Sequence, residues 1–390
     1  MPKTKKTVYL DYAATTPVDP QVLKAMLPYF SIRFGNSMSL HALGQEAKSA
    51  LEQSRKQIAN IIGAKTSEIV FTGSASESNN LAIKGVAFAN KDRGRHIIIS
   101  AIEHPCIMQS AAFLEKQAGF TITRLKVDKF GQVNPADVAK AITKETILVS
   151  IMHANNEFGT IEPIAKIGQI CRDKGVLFHT DASQTFGKLL IDVNKMGIDL
   201  LTASSHKIYG PKGAACLYIR SGIGIEPILH GGSQEFNRRA STVNVPAIVG
   251  FAKAATIYVK RMATENKRLT SLRDKLIKGV LSRISRSRLN GHPKLRLANN
   301  ANFSFDFVEG ESIILSLDAL GIAASTGSAC SSDKLEPSHA LLAIGLRIEQ
   351  AHGSLRLTLG RWTTEKDINY VLKVLPKVIN NLRRISPFKK

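Results

Sequence analysis

The sequence predicts an α/β protein: a large domain with a mostly parallel sheet flanked by helices, and a smaller α+β domain. Three observations carry this. Short apolar runs alternate with helical patterns from EIVF at Glu68 to AACLYI ending at Ile219, the spacing of βαβ units in a sheet covered on both faces. From about Ala247 to Arg288 long helical periodicity replaces that alternation, and strands and helices then mix. A chain of 390 residues rarely organises around one core. The division expected is 15–260 for the large domain, with 1–14 and 261–390 forming the small one.

Taken in order, VYLDYAATTPVDPQVLKAML reads as a short strand, a turn around Pro17 to Pro20 and an amphipathic helix. FGNSMSLHALGQ is a Gly/Asn/Ser loop that runs into a long helix ending near Gly63. EIVF, HIIIS, TITRLKV, ILVSIM, VLFHTD, LLTAS and AACLYI follow as strands. TGSASESNNLAIKGVAFAN and EHPCIMQSAAFLEKQAG are the clearest helices between them. Beyond Asn299, NFSFDFV, the helix ESIILSLDALG, a Ser/Gly/Ala loop, a helix around LEPSHALLAIGL, the strand SLRLTLG and a last helix complete the small domain.

Composition narrows the class. Hydrophobic content of 44% and charged content of 22% are ordinary for a folded soluble chain, and no apolar run is long enough to span a bilayer. The first residues are basic but lack an apolar signal core, so the expected location is cytoplasmic. Cys106, Cys171, Cys216 and Cys330 are far apart without metal-type spacing, which reads as free thiols and no metal site. The formal net charge is +22, and residues 261–300 hold eleven Lys/Arg against Glu265 and Asp274. Such a field suits acidic proteins, nucleic acid or anionic surfaces, or is a solvated helix face. The stretch has no interleaved aromatics, which favours the solvated face over nucleic-acid stacking.

Candidate chemistry gathers at predicted strand ends. Lys207, in TASSHKIYGPKG, follows an apolar strand, where open sheets present catalytic groups. Lysine amines form Schiff bases with carbonyl compounds, pyridoxal phosphate (PLP) among them. Asp181, in VLFHTDASQ, suits a pyridinium N–H, and Gln184 suits a ring oxygen. His104 follows HIIIS, placed to stack on a ring or move protons. Thr72-Gly73-Ser74-Ala75-Ser76 opens a helix as an anion cradle or as a plain N-cap. Asn155 suits a cofactor or substrate carboxylate, or forms a turn. Arg356 suits a bidentate carboxylate clamp, or a structural ion pair. Cys330, in a polar loop of small residues, is a thiol with no apolar anchoring, which implies a task.

These stretches, from YLDYAATTPVDP and FTGSASESNNLAIKG through MHANNEFGTIEPI, HTDASQTFGKLLIDV and TASSHKIYGPKG to STGSACSSDKLEPS and SLRLTLGRWTT, resemble the cysteine desulfurases. That group lies among the class V aminotransferases of fold-type I PLP enzymes, and the SSHK and GSAC stretches point to its long-loop subgroup. The resemblance implies Lys207 as the cofactor lysine and Cα base, Asp181 on the pyridine nitrogen, Gln184 on the ring oxygen and His104 stacked on the ring. It implies Ala75, Ser76, Ser204 and His206 on the phosphate, joined by Thr242 from the other subunit of a homodimer. Asn155 and Arg356 would hold the carboxylate of L-cysteine, and Cys330 would accept its sulfur as a persulfide. The sulfur would pass to an acidic acceptor protein in iron–sulfur cluster assembly, tRNA thiolation or DNA sulfur modification. Direct nucleic-acid binding is not favoured, and no membrane is implied.

The sequence departs from the family pattern at three places. Tyr12 stands where Asn is usual, Gly73-Ser74 inverts a Ser-Gly, and Glu235 to Thr242 reads EFNRRAST with two glycines lost. Two other functions fit the same scaffold. A selenocysteine lyase or other PLP β-lyase needs no accepting thiol, so Cys330 argues against it. A degenerate basic binding subunit would not need Lys207, Asp181, His104 and Cys330 together.

Overall fold

The computed structural model describes residues 7–326 and 337–387. Strand β1 (Val8–Tyr9) opens the chain and pairs in parallel with Ile322–Ala323. Seven strands then form the main sheet: β2 (Ile69–Thr72), β3 (His96–Ser100), β4 (Thr121–Leu125), β5 (Thr146–Ser150), β6 (Leu177–Asp181), β7 (Leu200–Ser204) and β8 (Ala215–Ile219). Their order is β2-β8-β7-β6-β5-β3-β4, with β8 antiparallel to both neighbours and every other pair parallel.

Alternation along each strand sends successive side chains to opposite faces. Val149 and Leu201 therefore enter one core, with Phe71, Phe178 and Cys216, while Leu148 and Leu200 enter another, with Val70, Ile97 and Leu217. Both faces of the inner strands are apolar and covered, which is why those strands read as continuous hydrophobic runs, whereas the edge strand β4 alternates, with Thr121 and Arg124 exposed.

One helix, Val245–Arg283, carries the chain out of this unit. Asn244 caps it by accepting the Ala247 N–H at 3.2 Å. At 39 residues it is about 58 Å long, a single element where the periodicity alone read as more than one. Phe251, Ala255 and Tyr258 on its first half pack in the main-sheet core, and Leu269, Leu276 and Val280 on its second half pack in a separate core. That second core covers a three-stranded antiparallel sheet of β9 (Ser287–Asn290), β10 (Asn300–Phe305) and β12 (Ser354–Thr358), with β11 (Ile322–Ala323) beside β1.

Strand β9 was not expected, because helical periodicity was read through to Arg288. The helix instead stops at Arg283, and Arg286 turns the chain at φ 51°. Ser-Arg-Leu-Asn has little intrinsic strand preference, and its conformation comes from pairing with β10. Arg288 is exposed on this edge strand, where charge discourages further pairing.

The EFNRRAST segment is anchored through its first residue. Arg55 grips Glu235 through two bonds of 2.6 and 2.8 Å, both side chains almost fully buried, and Glu235 also accepts the Phe71 N–H at 2.7 Å. This pair ties the 233–242 loop to β2. The loop keeps left-handed backbone at Glu235, Phe236, Asn237 and Ser241, with φ of 47°, 62°, 60° and 96°. Asn tolerates this region and Ser does not. Ser241 is exposed, so removing its side chain forfeits no packing. Ser241→Gly is expected to stabilise the protein by about 0.5–1 kcal/mol in urea unfolding; an unchanged midpoint would show that the loop carries no such strain.

Candidate active site

Strands β2, β3, β5, β6 and β7 all end on one edge of the main sheet, where open α/β sheets build their sites. The turn Ser205–Lys207 leaves β7 directly. Lys207 Nζ donates to the carbonyls of Ala13 and Ala14 at 2.7 and 2.6 Å, and Gln184 Nε2 donates to the same Ala13 oxygen at 3.0 Å. Ser204 is buried, and His206 Nδ1 lies 3.1 Å from Thr15 Oγ1. Burial, with Lys207, Lys212 and Lys188 adding, pushes the His206 imidazole down to about 4. Gly210 packs closely on this turn: a Cβ there would sit 2.0 Å from Ser205 Oγ and displace it.

Asp181 ends β6. Its Oδ2 accepts from Asn79 Nδ2 at 2.7 Å and its Oδ1 from the Ser183 N–H at 2.8 Å. His104 is the N-cap of the helix Pro105–Gln117, and its Nδ1 accepts the Cys106 N–H at 3.2 Å. Burial lowers the imidazole's pKa; Asp181 opposes this, and Lys207 and His339 add to it. The charges acting on His104 thus come from the other groups expected in the site.

Ser74 caps the helix that starts at Ala75 by accepting the Glu77 N–H at 3.1 Å. Glu77 in turn holds the Gly73 N–H at 2.8 Å and is held by Arg239 at 2.7 Å. The Ala75 and Ser76 amides open this helix and have no acceptor one turn back, so they suit an anion. This donor set fits a phosphorylated pyridine aldehyde: amides for the phosphate, a carboxylate for the ring nitrogen, an amine for the aldehyde.

The other expected residues have these surroundings. Asn155 is fully buried and builds a turn: its Oδ1 accepts the Glu157 and Phe158 N–H groups, and Nδ2 donates to the Ile102 carbonyl at 3.1 Å. Arg356 donates to the Asn156 carbonyl at 3.1 Å and to Asp11 at 2.9 Å, and its Nε is buried without a partner among the described residues. Its backbone bonds Ser325, at 2.7 Å. Thr242 is exposed. Cys330 lies outside the described residues. Tyr12 is buried against Tyr9, 4.9 Å away, and Tyr209, 6.1 Å away, over Gly360; the departure there serves packing.

Sequence reasoning missed Asn79, Cys106 and Arg239. Asn79 follows Ala75 by four residues, one helical turn, which was a usable signal. Nothing local marked the other two. Among the described residues no cluster of three or more His, Cys, Asp or Glu is placed to hold a metal ion, and no helix is long and apolar enough to cross a membrane.

A lysine after a sheet strand, a buried carboxylate on the next strand and amides for a phosphate together define a PLP-dependent enzyme. The class-V aminotransferase family model matches residues 8–371. A cysteine desulfurase IscS of Dictyoglomus turgidum is 54% identical over 385 residues, covering 99% of this chain and 98% of that one. A solved NifS-like protein superposes with TM-score 0.90 at 36% identity, covering 96% of this chain and all of that one. SspA in complex with cysteine superposes at 0.82 with 38% identity, covering 92% of this chain and all of that one. The chain belongs to the class-V aminotransferase family, in its cysteine desulfurase branch.

Three carboxyls behind the site are buried. Glu103 accepts from Ser100 Oγ at 2.5 Å and the Met152 N–H at 2.9 Å, yet burial pushes it up to about 8. Burial raises Glu157 to about 7 and Glu162 well above the ordinary value. Between 4.5 and about 8 the folded state keeps the Glu103 proton and the unfolded state releases it. Stability due to this group therefore falls as pH rises through that window. Glu103→Gln removes the penalty, so its stability relative to wild type should climb with pH at up to about 1.4 kcal/mol per unit and level off above pH 8. A pH-independent difference in urea midpoints would contradict it.

Proposed function

We propose that this chain is a PLP-dependent cysteine desulfurase that converts L-cysteine to L-alanine and carries the sulfur as a persulfide on Cys330. The observation that carries the reading is the convergence of Lys207 and Gln184 on the Ala13 carbonyl, in a site shared with Asp181 and His104. The solved relative in complex with cysteine supports the substrate.

Ala75, Ser76, Ser204 and His206 would hold the phosphate, Asp181 the ring nitrogen, Gln184 the ring oxygen, and Lys207 the aldehyde carbon. Bound PLP supplies the sink for the electron pair left at the substrate Cα. Lys207 Nζ takes the Cα proton. Arg356 has five N–H groups and uses two of them on Asn156 and Asp11, which leaves Nε and one N–H on each terminal nitrogen for the substrate carboxylate. Asn155 acts through the turn that presents the Asn156 carbonyl to Arg356. Cys330, as thiolate, attacks the substrate sulfur; the S–S bond forms as the Cβ–S bond breaks, Cβ keeps that pair and gains a proton, and Lys207 returns a proton to Cα to give alanine.

The sulfur then passes to an acceptor, which the basic surface favours as an acidic protein. An iron–sulfur scaffold and a tRNA- or DNA-thiolation relay both suit that description. The working form is a homodimer in the cytoplasm. Ile32, Phe34 and Leu40 are 71%, 64% and 92% exposed, and they form the apolar patch proposed for a second copy. It adjoins the Thr242 loop, because Val245 packs against Ala47, Ala50 and Tyr29. A second copy covering the patch would bring Thr242 to the neighbouring phosphate site. The separation of large and small domains falls within the helix Val245–Arg283, near residue 260.

Alanine formed from L-cysteine with a thiol reductant tests the chemistry. Lys207→Ala should lower turnover by about 10³-fold or more. Cys330→Ser should lose alanine formation yet keep the yellow bound cofactor, and Arg356→Lys should raise KM for cysteine about 10–100-fold. Full activity in Cys330→Ser would instead mark a lyase. For the dimer, sedimentation should give two chains, Ile32→Glu with Leu40→Lys should give monomers, and Thr242→Ala should weaken cofactor retention without dissociation. A monomeric wild type that retains cofactor would refute the shared site.

A further inference from the structure

We propose that Cys106 is a positioning residue: its thiol hydrogen bonds His104 Nδ1, fixes the imidazole proton on Nε2, and links that ring through Asn79 to Asp181. The inference rests on the PLP-dependent reading of the site.

Donor directions leave one assignment. The Cys106 backbone N–H donates to His104 Nδ1 at 3.2 Å, so Nδ1 presents a lone pair and carries no proton. Cys106 Sγ lies 3.0 Å from the same Nδ1. With the nitrogen an acceptor, the S–H must be the donor. Asn79 Nδ2 has two N–H groups; one donates to Asp181 Oδ2 at 2.7 Å and the other to Cys106 Sγ at 3.2 Å. A carboxylate oxygen only accepts, so the chain runs from Asn79 outwards in both directions, to Asp181 on one side and through the thiol to His104 on the other.

The chain requires a thiol, not a thiolate. Burial, with Asp181 adding, pushes Cys106 up to about 12 against the hydrogen bonds of Asn79 and Ser76. It therefore keeps its proton at neutral pH and is no rival nucleophile to Cys330.

This assigns His104 a narrower task than proton shuttling. Both donors on Nδ1 occupy the basic nitrogen, so the ring acts through its Nε2–H, and Cα proton removal falls to Lys207. The groups facing the imidazole are Asp181 from β6, Lys207 after β7, His339 from the helix His339–Ala343, and Cys106 on its own helix. Hydrogen bonds donated to Nδ1 favour the neutral ring, in the same direction as burial.

The test is nitrogen-15 NMR of the holoenzyme labelled at histidine, with His104→Gln to assign the ring. Wild type should show Nδ1 unprotonated and Nε2 protonated from pH 6 to 8. Cys106→Ala should raise the His104 pKa by about half to one unit, and Cys106→Ser, which keeps a donor, should restore it. In alanine formation, Cys106→Ala should lower kcat severalfold with KM for cysteine within twofold, and Cys106→Ser should recover it. A protonated Nδ1 in wild type, or a Cys106→Ala titration superimposable on wild type, overturns the proposal. The tautomer readout needs no turnover, so a protein that forms no alanine yet shows the Nε2–H would sink the desulfurase reading and leave the hydrogen-bond assignment standing.

Discussion

The carbonyl of Ala13 is the point on which the site depends. It accepts Gln184 and Lys207 together, while Ala14 takes a second bond from the same amine. Two carbonyl dipoles hold the amine in place. The segment carrying them is held from both sides. Ala13 N–H donates to Thr358 Oγ1 at 2.9 Å and Asp11 pairs with Arg356, both on β12. On the opposite side Thr16 bonds the His206 carbonyl through its amide and its hydroxyl, at 3.0 and 2.9 Å. Any shift between the two sheets is therefore felt at Lys207 and at Arg356 at once. Lys207 and Arg356 are referenced to the same few residues.

Around that point, burial removes charge. His153, His179 and His206 are pushed down to about 4, while Glu103 and Glu157 are pushed up to about 8 and 7. Most of these groups are uncharged near neutrality, and several are hydrogen-bonded as neutral partners: Ser150 with His179 at 2.8 Å, Thr185 with His153 at 3.0 Å. A field made by few charges is a sharper one, because neutral neighbours do not screen it as water would.

The fold was legible because both faces of the main sheet's inner strands are apolar, so those strands wrote themselves as short hydrophobic runs. The site was legible where a residue follows such a run: Lys207, Asp181 and His104 each leave a strand end. It was illegible where the function is to support another side chain. Asn79 and Cys106 lie within helices, and their roles depend on what crosses from β6 and from the loop before them. Asn155 shows the converse. It follows a strand, as a site residue should, but its oxygen closes the turn and its amide binds a carbonyl. Strand β9 escaped for a related reason, since its conformation is imposed by β10 and not by its own residues.

The charge of the 261–300 stretch was the hardest feature to weigh from sequence, and the structure divides it. Arg268 is bound to the carbonyls of Gly360, Arg361 and Thr363. Arg273 reaches the Leu297 carbonyl, and Arg296 those of Phe158, Asn290 and Asn300. Burial, with Arg273 adding and Asp274 opposing, pushes Arg296 down to about 9, the signature of a guanidinium used as a rigid fork of donors inside the protein. These three arginines close loop carbonyls that would otherwise be buried unpaired. Arg283 bonds the Leu372 carbonyl and Lys275 pairs with Glu365, so Arg261, Lys267, Lys278, Arg286, Arg288 and Lys294 make up the exposed basic surface of the stretch. A count of basic residues overstates such a surface, since arginines that complete a backbone and lysines that face water carry the same formal charge.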